Sequence, residues 1–290
     1  MENQYEVPLD PNFCAIGMLT DKSSSMSSMG VPKIVSGCNE FLDHQRQLDE
    51  QNNSRTKIFF GTFSSEYRMV HDGVDLIDMP KITEEDVYPR GMTAMYDAIH
   101  SFMNDIGDRL TSMNPRPGKV VIFILTDGEE NCSKEYCGET GRKSVFDKIK
   151  HQEETYNWSF YYAGANQDAM HVGRSLGISA DTCLGYEYSG GGITTALRSC
   201  SHAVGRTRVG DDATFTEEER LTSLAPPDLV SDDEYESFPV SSSKYESFPV
   251  SNSNGPSTQE PSMLCCNNNG GLPQREDLYG YEEIVLDENL

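Results

Sequence analysis

The chain has 290 residues, of which 47 are acidic and 23 basic, for a formal net charge of −24. An excess of negative charge on this scale argues against binding nucleic acid or an anionic membrane and favours cations and basic partners. Only 36% of residues are hydrophobic, below the usual globular share, and the shortfall lies in the last quarter. Residues 221–290 hold 13 acidic and 2 basic side chains.

The N-terminus, Met1-Glu-Asn-Gln-Tyr-Glu-Val-Pro, has neither the basic start nor the apolar core of a secretory signal. No run approaches the ~18 apolar residues of a membrane span. A cytoplasmic location is expected, and with it eight cysteines held as thiols. The sequon at Asn157-Trp-Ser is expected to stay unused.

In chain order, Phe13–Thr20 reads as a buried strand that stops on Asp21. Val31–Glu50 follows as a helix, with Ile34, Val35, Cys38, Phe41, Leu42 and Leu48 near helical spacing and Pro32 in the first turn. Thr56–Phe63 is a second apolar strand, and Tyr67–Val70 pairs with it as a hairpin or edge strand. Asp72–Pro89 is a turn-rich connection. Ala94–Leu110 is helical, with Ile99, Phe102, Met103, Ile106 and Leu110 on one face. Pro115-Arg-Pro-Gly breaks the chain before Lys119–Leu125, a consecutive apolar, β-branched run that predicts a central strand buried on both faces. Gly128–Gly141 is a polar loop, Arg142–Glu154 a helix, Trp158–Ala163 a strand, and Gln167–Leu176 a short helix. Thr182–Tyr186 is an edge strand. Gly190-Gly-Gly interrupts the pattern before a last helix, Thr194–Arg206. Strands alternating with helices predict a mostly parallel sheet covered on both faces, with ligands at the carboxyl ends of its strands.

Three loops at such ends carry hard oxygen donors. Asp21, Ser23 and Ser25 form Asp-x-Ser-x-Ser. Thr93 stands before the helix of residues 94–110. Asp127 follows the most apolar run, in Thr-Asp-Gly. A carboxylate and two hydroxyls at alternate positions can face one point, and oxygens of this kind suit a small divalent cation. The competing reading is that they only cap helices and turns.

On these residues the chain resembles the von Willebrand factor type A (VWA) domain and its metal-ion-dependent adhesion site (MIDAS). Tyr161-Tyr-Ala-Gly-Ala-Asn-Gln-Asp-Ala-Met and Val172-Gly-Arg-Ser-Leu-Gly-Ile extend the likeness to stand-alone VWA proteins of bacteria, phages and large DNA viruses, over roughly residues 10–206. The resemblance implies a Rossmann-like α/β fold. It implies Mg²⁺ or Mn²⁺ held by Ser23, Ser25 and Thr93, with Asp21 and Asp127 acting at least in part through water. It also implies a protein partner that offers an exposed Asp or Glu to the ion. The expected organisation is an arm (1–9), the VWA-like domain (10–206), a linker (207–220) and a disordered acidic tail (221–290). The tail repeats Tyr-Glu-Ser-Phe-Pro-Val-Ser at Tyr235 and Tyr245, a period too short for a solenoid.

Other constellations are weaker. Cys132 and Cys137 lack the Cys-x-x-Cys spacing of redox or zinc sites, and the six histidines are scattered. Cys265-Cys266 reads as a pair of exposed tail thiols. Asp21 resembles by position the aspartate of haloacid-dehalogenase-type phosphatases, but Ser23 stands where that family needs a second carboxylate. No nucleophile elbow, Walker loop or dinucleotide fingerprint is present, so catalysis is not expected. Tyr281-Glu-Glu-Ile resembles the phosphorylated ligand of Src-type SH2 domains, which would give the tail a phosphotyrosine reader as partner. Two alternatives to a metal-dependent binding domain therefore stand: a tail-driven adaptor with the VWA domain as scaffold, and a metal-dependent phosphotransfer enzyme.

Overall fold

A computed structural model describes residues 7–165 and 168–225. Its centre is a six-stranded sheet: β1 (Leu9–Asp21), β2 (Arg55–Phe63), β3 (Tyr67–Asp75), β4 (Arg116–Thr126), β5 (Trp158–Ala165) and β6 (Cys183–Tyr186). The spatial order is β3-β2-β1-β4-β5-β6. All neighbours run parallel except the β2–β3 hairpin. β1 is buried from Phe13 to Asp21 because strands flank it on both sides and helices cover both faces.

Alternation along the strands divides the core in two. Ile16 and Met18 of β1 and Val121, Phe123 and Leu125 of β4 meet α1 (Val31–Asn52) and α5 (Gly190–Val209). Phe41 of α1 stacks on Phe123, ring centroids 6.0 Å apart. On the other face Leu19, Ile122 and Ile124 meet α2 (Met95–Thr111), α3 (Gly138–Tyr156) and α4 (Ala169–Ser175). In α2 the apolar residues Met95, Ala98, Ile99, Phe102, Met103, Ile106 and Leu110 recur at helical spacing and are all buried. The mostly parallel α/β sandwich expected from the sequence is the observed one.

The differences have physical causes. β4 begins at Arg116, through Pro117 and Gly118, although Pro-Arg-Pro-Gly reads as a break. This first part pairs only with β1, since β5 joins at Val120, and a strand paired on one side tolerates proline. Gly190, Gly191 and Gly192 belong to α5 and do not interrupt it. Ser189 caps that helix by accepting from Gly192 N. A Cβ on Gly192 would lie 2.0 Å from Glu187 O, and one on Gly190 would lie 2.8 Å from Met29 O. The glycines are there for close backbone approach.

Regular structure extends into the expected linker at 207–220 and past the expected start of the tail at 221. α5 continues to Val209, and a further helix, α6 (Glu217–Leu224), packs on α5 and β6. Thr216 and Glu219 form a reciprocal capping box. Arg206 of α5 donates to both carboxylate oxygens of Glu219 and to the carbonyls of Asp212 and Thr214. Ser223 is fully buried. The tail repeat, Cys265-Cys266 and Tyr281 lie outside the described residues. No helix among the described residues is long and apolar enough to cross a membrane.

Arg206→Ala removes an anchor that holds α6 through two acceptors and the loop before it through two more. It should cost about 1–2 kcal/mol and lower the Tm of the full chain by several degrees. An unchanged thermal melt would show that α6 docks without it.

Candidate metal centre

In the sheet, β1 leads to β2 on one side, and β4 leads to β5 on the other. The strand order therefore reverses between β1 and β4, where open α/β sheets hold their ligands. Asp21 ends β1, and Asp127 directly follows β4. The register pairs Thr20 with Leu125, so the two aspartates emerge from adjacent strands at one edge.

Asp21 is fully buried. One carboxylate oxygen accepts from Ser23 N at 2.6 Å, the other from Thr126 Oγ1 at 2.7 Å. Burial raises its pKa to about 7, against the pull of these hydrogen bonds and with some help from the charge of Asp127. The Asp21–Ser23 bond tightens the loop into the turn of Ser24–Met29. That turn brings Ser23 Oγ within 2.9 Å of Ser25 Oγ, and Ser25 Oγ donates to Asp127 Oδ1 at 2.8 Å. Four of the five expected residues thus form one continuous set.

Thr93 joins it from the third loop. A Cβ on Gly128 would lie 3.5 Å from Thr93 Oγ1 and 3.8 Å from Ser25 Oγ, so both hydroxyls border the space over Gly128. Asn131 fixes Thr93 on both sides of its backbone: its Oδ1 accepts from Thr93 N at 2.9 Å, and its N donates to Thr93 O at 3.0 Å. Glu130 accepts from Tyr96 N, and Asp97 from Lys134 N and Tyr136 N. The loop after β4 is in this way stitched to the start of α2.

The remaining oxygen of Asp127, Oδ2, is buried with no hydrogen-bond partner among the described residues. Burial raises the pKa of Asp127, while Ser25, its own backbone N–H and the nearby Tyr188 hydroxyl lower it. A buried carboxylate oxygen left without a donor costs free energy. A cation there would remove that cost, and the surrounding donors are all oxygens. Among the described residues no group of three or more His, Cys, Asp or Glu side chains is placed to hold a metal. Ser23, Ser25 and Thr93 bring hydroxyls to this edge beside the two carboxylates. The residues fit a small hard cation.

Three supporting groups escape the sequence reading. Thr126 bridges the strand ends through Asp21. Tyr186 OH donates to Thr126 O at 2.9 Å, and Tyr188 OH to Ser25 O at 2.7 Å. The hydroxyl of Thr126 sits beside Asp127 in the sequence and could have been found there. The tyrosines, 60 and 163 residues from their acceptors, carry no local signal. The six described cysteines, Cys132 and Cys137 among them, are in no disulfide.

Asp21 also gives a signed pH effect in the metal-free protein. Its folded pKa is raised, so folding takes up a proton between about pH 4 and 7, and its contribution to stability is lost as pH rises through that window. Asn is neutral and can keep both hydrogen-bond contacts. In EDTA, Asp21→Asn should stabilise the protein at pH 7 by about 1–3 kcal/mol and change little near pH 4. Denaturant melts at the two pH values check this; equal effects at both would show that the buried charge is not the cause.

Protein-family models and curated proteins return no match to this chain, but solved structures do. Proximal thread matrix protein 1 from the mussel byssus is similar with a TM-score of 0.46 and 15% identity, over 67% of this chain and 46% of its own. A structure of that mussel protein has a zinc-occupied MIDAS motif. The vWF domain of the type V pili tip protein Mfa5 from Porphyromonas gingivalis gives 0.47 and 8%, over 69% of this chain and 96% of that one. The ArnB paralog VWA2 from Sulfolobus acidocaldarius gives 0.41 and 15%, over 64% and 44%. This chain spans under half the length of the mussel protein. The six-stranded, mostly parallel sheet with helices on both faces is a Rossmann-like α/β fold.

Proposed function

We propose that this is a protein-binding domain that works through a divalent cation, Mg²⁺ or Mn²⁺, and recognises a carboxylate on its partner. Ser23, Ser25 and Thr93 would hold the ion directly, with Asp21 and Asp127 behind them. The observation that carries the reading is Asp127 Oδ2, buried and without a donor among the described residues, at a rim lined by hydroxyls. When bound, the ion would supply a Lewis-acidic position for one further anionic oxygen.

The side chains divide the work. Asp21 has both oxygens committed, to Ser23 N and Thr126 Oγ1, so it orients the loop and supplies charge from behind. Asp127 orients Ser25 through one oxygen and keeps the other for the cation. The three hydroxyls are neutral donors and would leave the positive charge only partly compensated, which favours an acidic partner over a neutral one.

We read the domain as a binding module and not an enzyme. Asp21, the candidate for a phosphate-accepting nucleophile by its position after β1, is fully buried, and its oxygens accept from donors within the fold. The adaptor alternative rests on motifs beyond the described residues, and nothing in the described fold favours it.

Calorimetry of the full chain should show Mg²⁺ or Mn²⁺ binding that Asp21→Ala and Thr93→Ala each weaken at least about tenfold, a loss of ~1.4 kcal/mol. At one metal concentration the Tm of the native chain should rise by more than that of Asp21→Ala. Unaltered affinity in both variants would place any bound metal elsewhere. For the partner, capture from solution should succeed in Mg²⁺ and fail in EDTA; equal capture would exclude the metal as the point of contact.

A further inference from the structure

The loop that carries Thr93 also carries positive charge. Arg90 N donates to Lys22 O at 2.8 Å, Ser24 N to Gly91 O at 3.0 Å, and Ala94 N to Ser64 O at 2.7 Å. Residues 90–94 are thereby laced to the Asp21–Ser25 loop and to the end of β2. Lys22 N donates to Phe63 O at 2.7 Å, and Arg68 stands opposite Thr62 in the β2–β3 pair. Lys22, Arg68 and Arg90 therefore share the edge of the sheet that Asp21 ends.

Lys22, between Asp21 and Ser23, is buried, with its Nζ 3.4 Å from Asp86 O. The Oδ2 of Asp86 accepts from Thr83 N and Thr83 Oγ1. Arg68 and Arg90 are exposed. Neither is in an ion pair among the described residues, although acidic residues outnumber basic ones two to one in the chain. Exposed like charges gathered at a site rim, with so many carboxylates left elsewhere, complement an anionic ligand.

We propose that Arg68 and Arg90 form a cationic rim that pairs with a second acidic group on the same partner segment, so that the preferred ligand is an acidic peptide with at least two carboxylates and not a lone Asp or Glu. This rests on the reading of the metal centre as a carboxylate receptor. Residues 90 and 93 can be at most ~10 Å apart, so the second acid should lie within one to three residues of the first.

The test uses the full chain in saturating Mg²⁺ and two labelled peptides of equal length, one with a single Asp among Ser and Gly, the other with three. The native protein should prefer the triacidic peptide by about fivefold, the yield of two exposed ion pairs, and less at high salt. In the double variant Arg68→Gln/Arg90→Gln the ratio should fall to below about twofold, with Mg²⁺ affinity unchanged by calorimetry. A control, Lys143→Gln/Lys150→Gln, removes two positive charges from α3 and should keep the native ratio. If both variants lose the preference equally, net charge is the cause and the rim is overturned. A native ratio that persists in the arginine variant overturns the rim alone. Native protein that binds Mg²⁺ but neither peptide overturns the carboxylate receptor, and the rim with it.

Discussion

Asp21 places a full carboxylate where the sheet edge admits almost no solvent. Its two oxygens take their donors from different parts of the chain: the backbone of its own loop, and the hydroxyl that ends β4. One side chain therefore closes the turn carrying Ser23 and Ser25 and ties β1 to β4 at the point where the strand order reverses. Burial of this charge in a metal-free protein is unfavourable, which is the reason its pKa is driven up towards 7. Asp127 adds a second carboxylate nearby, with one oxygen unpaired among the described residues. The fold accepts a local destabilisation at this rim, and strain of that kind gathers where ligands bind.

The surroundings hold these groups still. α1 begins just beyond the Ser24–Met29 turn, and α5 packs against it along its length. Tyr188, just before α5, donates to Ser25 O, so the α5 end of the domain bears on the serine loop directly. Asn131 and Glu130 do the same for Thr93 and the start of α2. The loops lie on a rigid sheet and are cross-linked by backbone hydrogen bonds. The geometry of the oxygens is set before any ligand arrives, which lowers the ordering cost of binding.

How much of this is legible in the sequence depends on whether the cause is local. β4 announces itself because a strand flanked by strands and covered on both faces has no polar position from Val120 to Leu125. The five oxygen-bearing residues are legible because each sits at a strand end or helix start. The start of α5 is not, since its glycines answer to Glu187 O and Met29 O, contacts that no window of sequence displays. α6 has no apolar stripe and is acidic in its first turn, so composition divides it between linker and tail. Its capping box, Thr216 and Glu219, is the signal that could have corrected this. Tyr186 and Tyr188 reach the site only through the closing of the sheet.

The donor set also bears on selectivity. Four or five carboxylates around an ion would bind it tightly and leave little attraction for another anion. Here two carboxylates face three hydroxyls, and one carboxylate has both oxygens turned to internal donors. Under the proposed function the ion's charge would stay under-compensated until a partner's acid arrives, so affinity for the metal is traded against affinity for the ligand. The −24 charge of the chain acts on both sides of that trade: it draws cations to the surface and repels acidic partners at range. Salt screens the repulsion beyond ~8 Å, whereas Arg68 and Arg90 act at contact distance. A cationic rim beside the cation site is what such a protein needs in order to admit an acidic segment at that edge and turn it away elsewhere.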